Sequence, residues 1–220
     1  MNDYPTPIAT VDVVLLTLLE SGLAVVLLER DNEPHAGRLA LPGAYVRPDE
    51  DADTDATAAR VLRQKTGLPV PYLEQLYTFS GLERDPRGWS LSVAYVALVP
   101  ATFLGGKGAE QVAVVPEAEL PPLPFDHDAI VERALERLRS KSAYSSLPGF
   151  LLPQRFTLNE LHAVYERVMG GTLNKQNFQR KIQAQGMIEP IAGEARRGAH
   201  RPAQLFRLRS QRLQEFDRTI

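Results

Sequence analysis

Two long apolar runs near the start of the chain, separated by a short polar turn, constrain its fold most. The runs TVDVVLLTLL (10–19) and LAVVLLER (23–30) are rich in Leu and β-branched residues, and Glu20-Ser21-Gly22 lies between them. Such a pattern favours two strands joined by a hairpin turn. Further strands are predicted at RLALPGAYV, which Pro42-Gly43 interrupts, and at LEQLYTF, SLSVAYVALV and QVAVV.

Two helices are predicted among these strands. One begins near Ala56, after the acidic stretch PDEDADTD. The other is FDHDAIVERALERLRS, in which Ile130, Ala134 and Leu138 recur at helical spacing and Asp126 is a candidate N-cap. Strands mixed with helices in this way indicate an α+β chain with a layered α/β/α arrangement.

The pattern changes after residue 145. YSSLPGFLLPQ (144–154) breaks the periodicity and is interpreted as a linker. Thr157–Glu160 has the form of a capping box, and Asn174 is placed to cap a second helix that ends at Gly186. Two strands, MIEPI and AQLFRLR, then flank a basic loop. Helix, helix and a strand pair in this order form a winged-helix pattern.

Composition excludes several classes of protein. The chain has no cysteine, so disulfide frameworks, thiolate zinc sites and cysteine nucleophiles are excluded. No apolar run approaches the roughly 18 residues of a membrane span, and MNDYPTPIAT does not have the character of a signal peptide. A cytoplasmic protein with no membrane partner is expected.

The charge is distributed unevenly. Residues 146–220 contain twelve Lys or Arg and six Asp or Glu, whereas residues 1–145 contain thirteen basic and twenty-one acidic residues. A basic last part joined to an acidic first part suggests a nucleic-acid or membrane-surface role for the basic end. The alternative is a chance unevenness of surface charge.

The basic part also carries candidate DNA contacts. On the second helix, Phe178 and Ile182 are predicted to face the core. The opposite, polar face and its flanks would meet base edges in a major groove, and the loop between the strands would touch phosphate or the minor groove. The candidates are Lys175, Gln176, Asn177, Gln179, Arg180 and Lys181 on the helix and Arg196, Arg197, His200 and Arg201 in the loop. A solvated basic face is the alternative.

Residues 37–68 resemble a Nudix box, whose pattern is G-x5-E-x7-R-E-U-x-E-E-x-G-U with U apolar. Gly43 matches the first Gly, Asp49 or Glu50 the first acid, Arg60 the Arg, and Gly67-Leu68 the ending. The interval from acid to Arg is about three residues longer than the pattern, which puts the extra residues in the acidic loop before the helix. An ordinary loop and amphipathic helix are the alternative.

The metal-binding glutamates of working Nudix hydrolases are replaced here by Val61, Gln64 and Lys65. Hard cations need carboxylate oxygens, so the resemblance implies lost or very weak hydrolysis, with no catalytic residue, metal or other cofactor. A lysine ammonium at this place would take the electrostatic role of the missing cation.

The segment LYTFSGLERDPRGWSLSVAYVAL resembles the ADP-ribose-type Nudix subfamily. In such a site, basic loop residues would bind phosphates and an aromatic residue such as Phe79 or Tyr77 would stack on a base. Solvated loop residues and core aromatics are the alternative. The candidate ligand residues are Arg30, Gly43, Arg47, Arg60, Gln75, Phe79, Arg84 and Arg87.

Together, the two patterns resemble the Nudix-related transcriptional regulators over nearly the whole chain. The resemblance implies a Nudix α/β/α sandwich (1–145) followed by a winged helix-turn-helix domain (146–220). It also implies a homodimer that binds palindromic double-stranded operator DNA, senses ADP-ribose or a related effector, and represses its target genes. Those genes belong to NAD metabolism in some relatives and to sugar catabolism in others, so the resemblance leaves the target genes open. Two alternatives stay open: an active ADP-ribose or nucleotide-sugar pyrophosphatase, and a protein-interaction module on an inert Nudix scaffold.

Overall fold

The computed structural model describes residues 6–104, 111–196, 202–217 and 219–220. In the first part of the chain, the elements are β1 (Ile8–Leu19), β2 (Gly22–Glu29), β3 (Leu39–Ala40), β4 (Gly43–Tyr45), α1 (Thr54–Val61), β5 (Tyr72–Gly81), β6 (Ser90–Leu98), β7 (Val112–Pro116) and α2 (His127–Ser142). No helix in the described ranges combines the length and the apolar character that a membrane span needs.

Strand β1 lies inside a mixed sheet with the order β3-β2-β1-β6-β5, in which β4 also pairs with β1 and β7 with β2. It runs antiparallel to β2 and parallel to β6. Val14 and Leu16 face the core that contains α2, whereas Val13 and Leu15 face the core that contains α1. Burial on both faces explains the unbroken apolar run at 10–19. The predicted α/β/α sandwich is confirmed.

The last part of the chain has its own core. Its elements are β8 (Phe156–Thr157), α3 (Leu158–Met169), α4 (Lys175–Gln185), β9 (Ile188–Arg196) and β10 (Ala203–Leu208), and the strands form a sheet of order β8-β10-β9. The predicted capping box at Thr157 and Glu160 is present. Asn174 caps α4 by accepting a hydrogen bond from the Asn177 N–H at 3.0 Å. The helix–helix–hairpin arrangement is that of a winged helix.

The stretch 144–154, interpreted from sequence as a linker, is instead a packed element. Residues 147–151 form a 3-10 helix, and Leu147, Phe150 and Leu151 are buried in the same core as α2. Val164 of α3 also reaches that core, whereas Tyr165 of α3 packs in the winged-helix core. The apolar residues among the Ser, Pro and Gly explain the error, because they anchor the segment between the two units.

The Nudix-like helix α1 changes its geometry where the family pattern is lost. The Asp53 side chain caps it by accepting a hydrogen bond from the Ala56 N–H at 2.8 Å. A π-helical turn follows at Leu62–Thr66, and Gly67, with φ +63°, ends it in the left-handed conformation. Wider turns of this kind occur often at functional sites. This one presents Gln64 and Lys65 to a cavity.

Candidate functional site

The main cavity of the first unit is an open cleft of about 970 Å³ beside β1, β2 and β4. Five of the eight predicted ligand residues line it, namely Arg30, Gly43, Arg47, Arg84 and Arg87. Residues that the sequence analysis did not assign to a ligand also line it, among them Asp12, Tyr45, Gln64, Lys65, Phe125 and His127. The lining therefore combines charged groups of both signs with the rings of Tyr45, Phe125 and His127.

Three predicted ligand residues do not line this cavity. Arg60 is buried below it, Gln75 is exposed on β5, and Phe79 packs partly against the first core. The Phe79 ring also meets the exposed Tyr77 ring edge-on, with centroids 5.3 Å apart. The aromatic rings available to a ligand in the cavity are those of Tyr45 and Phe125, not of Phe79 or Tyr77.

Arg60 forms a buried ion pair with Asp51. Its Nε lies 2.8 Å from Asp51 Oδ1 and its Nη2 lies 2.6 Å from Asp51 Oδ2. The Arg60 guanidinium holds the pKa of the Asp51 carboxyl well below its usual range. The acid of the Nudix box was expected at Asp49 or Glu50, but the carboxylate that Arg60 contacts is Asp51. Most of the residues by which this segment exceeds the Nudix pattern therefore lie between Gly43 and Asp51.

The Arg84 guanidinium forms an ion pair with the carboxylate of Asp126. Its Nε and Nη2 each donate to Asp126 at 2.9 Å, and its Nη1 donates to Ser90 Oγ at 3.1 Å. This pairing also corrects the prediction for α2. Asp126 occupies the N-cap position, but its side chain makes no cap hydrogen bond. A bidentate guanidinium satisfies the carboxylate better than one backbone N–H.

Arg87 and Phe125 form one wall of the cavity. Arg87 donates to both oxygens of Asp85, at 2.9 and 2.6 Å, and it also contacts the Tyr45 hydroxyl. The Phe125 ring lies between Arg30, 4.8 Å from its centroid, and Arg87, 5.9 Å away. Phe125 has φ +60°, a conformation that costs energy in a non-glycine residue and occurs often at ligand sites.

His127 closes the base of the cavity as a neutral ring. Its Nδ1 accepts a hydrogen bond from the Leu41 N–H at 3.1 Å, which leaves the ring proton on Nε2, 3.7 Å from Asp12 Oδ1. Burial lowers the pKa of His127, more than the nearby Asp12 carboxylate raises it. Sequence analysis missed Phe125 and His127 because the FDHD segment was read only as the start of a helix.

Gly43 is required by a close approach of β4 to β1. A Cβ at this position would lie 2.0 Å from Asp12 Oδ1 and 3.1 Å from the Val11 carbonyl oxygen. The Asp12 carboxylate is fixed there by a 2.6 Å hydrogen bond from Ser92 Oγ. Glycine thus lets the strand pass over a buried carboxylate at the floor of the cavity.

The residues at the family's metal position do not fit a divalent cation. Val61 is buried in the core, and Gln64 and Lys65 offer one neutral oxygen and one ammonium group. Among the described residues, no group of three or more His, Cys, Asp or Glu could hold a metal ion. Magnesium needs several oxygen ligands, usually with a carboxylate among them, and this part of the cavity does not supply them.

The second candidate site is the exposed face of α4. Phe178 and Ile182 are buried and fix the helix on its core. On the other side, Gln176, Asn177 and Arg180 are exposed, as are Lys175 and Lys181, whereas Gln179 is half-buried. Arg180 Nη2 donates to Asn177 Oδ1 at 3.2 Å, and Lys181 Nζ donates to the Thr219 carbonyl at 3.1 Å. The predicted polar face is therefore present.

The predicted wing is described only in part. Arg196, at the end of β9, forms an ion pair with Glu160 at the start of α3. Its side chain is directed toward α3, although it stays half-exposed. Arg197, His200 and Arg201, the other residues predicted for the wing, lie outside the described residues.

Comparison with known families gives two matches along the chain. A family model described as NUDIX domain matches residues 8–138, and a model described as NrtR DNA-binding winged helix domain matches residues 148–208. The two matched ranges correspond to the sandwich and to the winged helix.

Individual relatives agree with these matches. The chain is 36% identical to the ADPR responsive transcriptional repressor NtrR of Acinetobacter baylyi, over 98% of this chain and 86% of that protein. It resembles the crystal structure of Shewanella oneidensis NrtR complexed with a 27mer DNA, with a TM-score of 0.87, 35% identity, and coverage of 96% and 99%. It also resembles the NUDIX domain of that NrtR complexed with ADP ribose, with a TM-score of 0.55, 36% identity, and coverage of 61% and 90%.

Proposed function

Because the chain belongs to the family of proteins that join a NUDIX domain to an NrtR DNA-binding winged helix domain, we propose that it is a transcriptional repressor that binds operator DNA and responds to ADP-ribose. The observation that carries this proposal is the exposed face of α4, which presents Gln176, Asn177 and Arg180 from a helix anchored by Phe178 and Ile182. Amide and guanidinium groups form the bidentate hydrogen bonds that read bases in a major groove.

The cavity of the first unit is the proposed effector site. ADP-ribose combines a purine, a diphosphate and two riboses, and the cavity supplies a partner for each chemical class. Tyr45 and Phe125 offer aromatic surfaces, the basic residues offer donors for phosphate, and Asp12 offers an acceptor for hydroxyl groups. The complex of the related NUDIX domain with ADP ribose supports this choice of effector.

We further propose that the protein acts as a homodimer on two half-sites related by a two-fold axis. One winged helix buries only a modest interface on DNA, so two copies give useful affinity and explain a palindromic operator. Half-site centres are then about 10–10.5 base pairs apart, or a multiple of that distance. Genes of NAD metabolism are the proposed targets, and action on the chromosome agrees with the predicted cytoplasmic location.

A gel shift with the upstream region of the protein's own gene, with and without ADP-ribose, tests the whole proposal. A repressor of this kind binds that duplex more tightly than random duplex, and ADP-ribose changes the affinity. Equal affinity for both duplexes contradicts the DNA-binding role, whereas an unchanged shift with the effector contradicts only the proposed response.

The first specific prediction concerns the face of α4. Arg180→Ala or Asn177→Ala should weaken operator binding by about 1–3 kcal/mol and relax sequence preference at one position, because a base contact is lost. Fluorescence anisotropy with single-base operator variants measures both effects. Arg139→Ala, which removes an exposed cation from α2, is the matched control and should leave affinity unchanged. A uniform loss over all sequences would instead assign the two residues to phosphate contacts.

The second prediction concerns catalysis. We propose that the first unit does not hydrolyse ADP-ribose, because Val61, Gln64 and Lys65 replace the carboxylates of a metal-dependent hydrolase. With magnesium or manganese, turnover should stay far below about 1 s⁻¹, the low end of ordinary enzyme rates. A coupled phosphatase assay measures it, with an active Nudix hydrolase as the positive control. Turnover at or above that rate would support the alternative, an active pyrophosphatase.

A further inference from the structure

The cavity contains five cationic side chains, but most of them are already paired. Arg84 binds Asp126, Arg87 binds Asp85, and Arg47 binds Glu50. In each of these pairs an incoming phosphate would compete with a carboxylate already in place, although the Arg47–Glu50 pair is exposed and weaker than the other two. These three arginines serve better to shape the cavity than to hold an anion in it.

Arg30 and Lys65 differ from the other three. In the described part of the chain, neither has a carboxylate oxygen within 4 Å. The Arg30 guanidinium donates to the carbonyls of Pro34 at 2.9 Å and Asn32 at 3.3 Å, and it lies over the Phe125 ring. Among the described residues, the cavity therefore contains two cations without an ion-pair partner.

Lys65 lies among charges of both signs. Although Lys65 is an exposed residue, partial desolvation beside the cavity wall lowers its pKa most. The nearby Arg30 and Arg60 lower this pKa further, whereas Asp12 and Asp31 raise it. Asp12 already accepts a hydrogen bond from Ser92 and lies 3.7 Å from Arg84. A dianion between Lys65 and Arg30 would relieve the repulsion between them.

Lys65 stands where the Nudix pattern has a metal-binding glutamate, and the residues around it do not fit a metal ion. We propose that Lys65 and Arg30 bind the diphosphate of the effector directly, so that the protein recognises a nucleoside diphosphate sugar without a divalent cation. The proposal rests on the assignment of this cavity as the ADP-ribose site. It adds that the lost hydrolytic centre has become a metal-free anion site, formed by the Lys65 ammonium on the π-helical turn and the Arg30 guanidinium.

Calorimetry with ADP-ribose tests this proposal, with one titration in EDTA and one in magnesium. We expect wild-type affinity to agree within about twofold in the two buffers. Lys65→Gln should weaken binding in EDTA by about tenfold or more, because a charge-assisted contact is lost, and Lys65→Arg should retain most of it. Arg63→Gln is the matched control, since Arg63 is an exposed cation on the same turn that does not line the cavity.

The results distinguish an error in the metal-free Lys65–Arg30 site from an error in the choice of ADP-ribose as the effector. Wild-type binding in magnesium but not in EDTA would overturn the metal-free site and leave ADP-ribose as the effector. An absence of binding in both buffers would instead reject ADP-ribose as the effector. Equal affinities for wild type and Lys65→Gln would also overturn the role of Lys65. A titration with adenosine, which has no phosphate, should give the same result for both proteins if only the anion contact has changed.

Discussion

Replacement of Arg60 by methionine should lower the thermal midpoint of unfolding by roughly 10 °C. Arg60 and Asp51 are both buried, with side chains only 7% and 2% exposed. Asp51 Oδ2 also accepts hydrogen bonds from Thr57 Oγ1 at 2.9 Å and from the Arg47 N–H at 3.0 Å. Removal of the guanidinium would leave a buried carboxylate without its counter-charge, the costly way to break an ion pair.

The destabilisation caused by Arg60→Met should be larger at neutral pH than at acidic pH. The folded-state pKa of Asp51 lies below its ordinary value of 3.8, so the ion pair stabilises the folded protein above about pH 4. This contribution is lost as the pH falls through the folded-state pKa. The gap between wild type and Arg60→Met, measured by calorimetry, should therefore be full at pH 7 and should narrow below about pH 4.

Arg47→Met is the matched control for Arg60→Met. Its partner is Glu50, and both side chains are more than half exposed. An exposed pair of this kind contributes little to stability, so its loss should barely change the thermal midpoint. Equal midpoints for Arg60→Met and Arg47→Met would contradict the structural role of the buried pair.

Features set by neighbouring residues were predicted well. The β1–β2 hairpin, the capping box at Thr157 and the cap at Asn174 each depend on residues a few positions apart. The polar face of α4 follows from helical periodicity alone. For the same reason, the resemblance to a Nudix box and to a winged helix was readable from short segments of the sequence.

Features set by distant residues were not predicted. Asp126 is a plausible N-cap by its local sequence, but the folded chain brings Arg84 to it from 42 positions away. By sequence alone, Asp49, Glu50 and Asp51 are all possible ion-pair partners of Arg60, and only the path of the acidic loop in the folded protein selects Asp51. The cavity roles of Phe125 and His127 likewise depend on which strands meet at β1, which no local pattern specifies.

The C-terminal residues connect the two units of the protein. The Ser146 N–H donates to the Gln214 carbonyl at 2.9 Å, and the Phe216 N–H donates to the Tyr144 carbonyl at 2.7 Å. On the other side, the Gln214 amide donates to the Gln185 carbonyl at the end of α4 at 2.8 Å. Tyr144 and Ser146, which form the first two of these bonds, directly follow α2, and the first residue of α2, His127, lines the cavity. These bonds therefore link the residues that follow α2 to the end of α4.

Phe216→Ala should remove the anchor of this connection. The Phe216 ring is 7% exposed and packs in one core with Phe178 and Ile182 of α4. Its loss should leave a cavity and lower the stability of the winged helix by about 3–5 kcal/mol. Operator affinity should fall, because less of the winged helix is folded and because α4 is no longer held in the same position on its core. The change in DNA affinity caused by ADP-ribose should also become smaller. The affinity for ADP-ribose itself should remain, because the effector cavity lies in the first unit.

Urea unfolding and operator titrations with and without ADP-ribose measure these effects. Gln211→Ala is the matched control, because Gln211 is an exposed, uncharged residue of the same tail, and it should behave as wild type. A stability loss below about 1 kcal/mol would be too small for the truncation of a buried aromatic ring, and it would contradict the anchoring role. Full retention of the ADP-ribose response in Phe216→Ala would show that the signal reaches α4 by another route, through the 3-10 helix and α3 or through the proposed dimer interface.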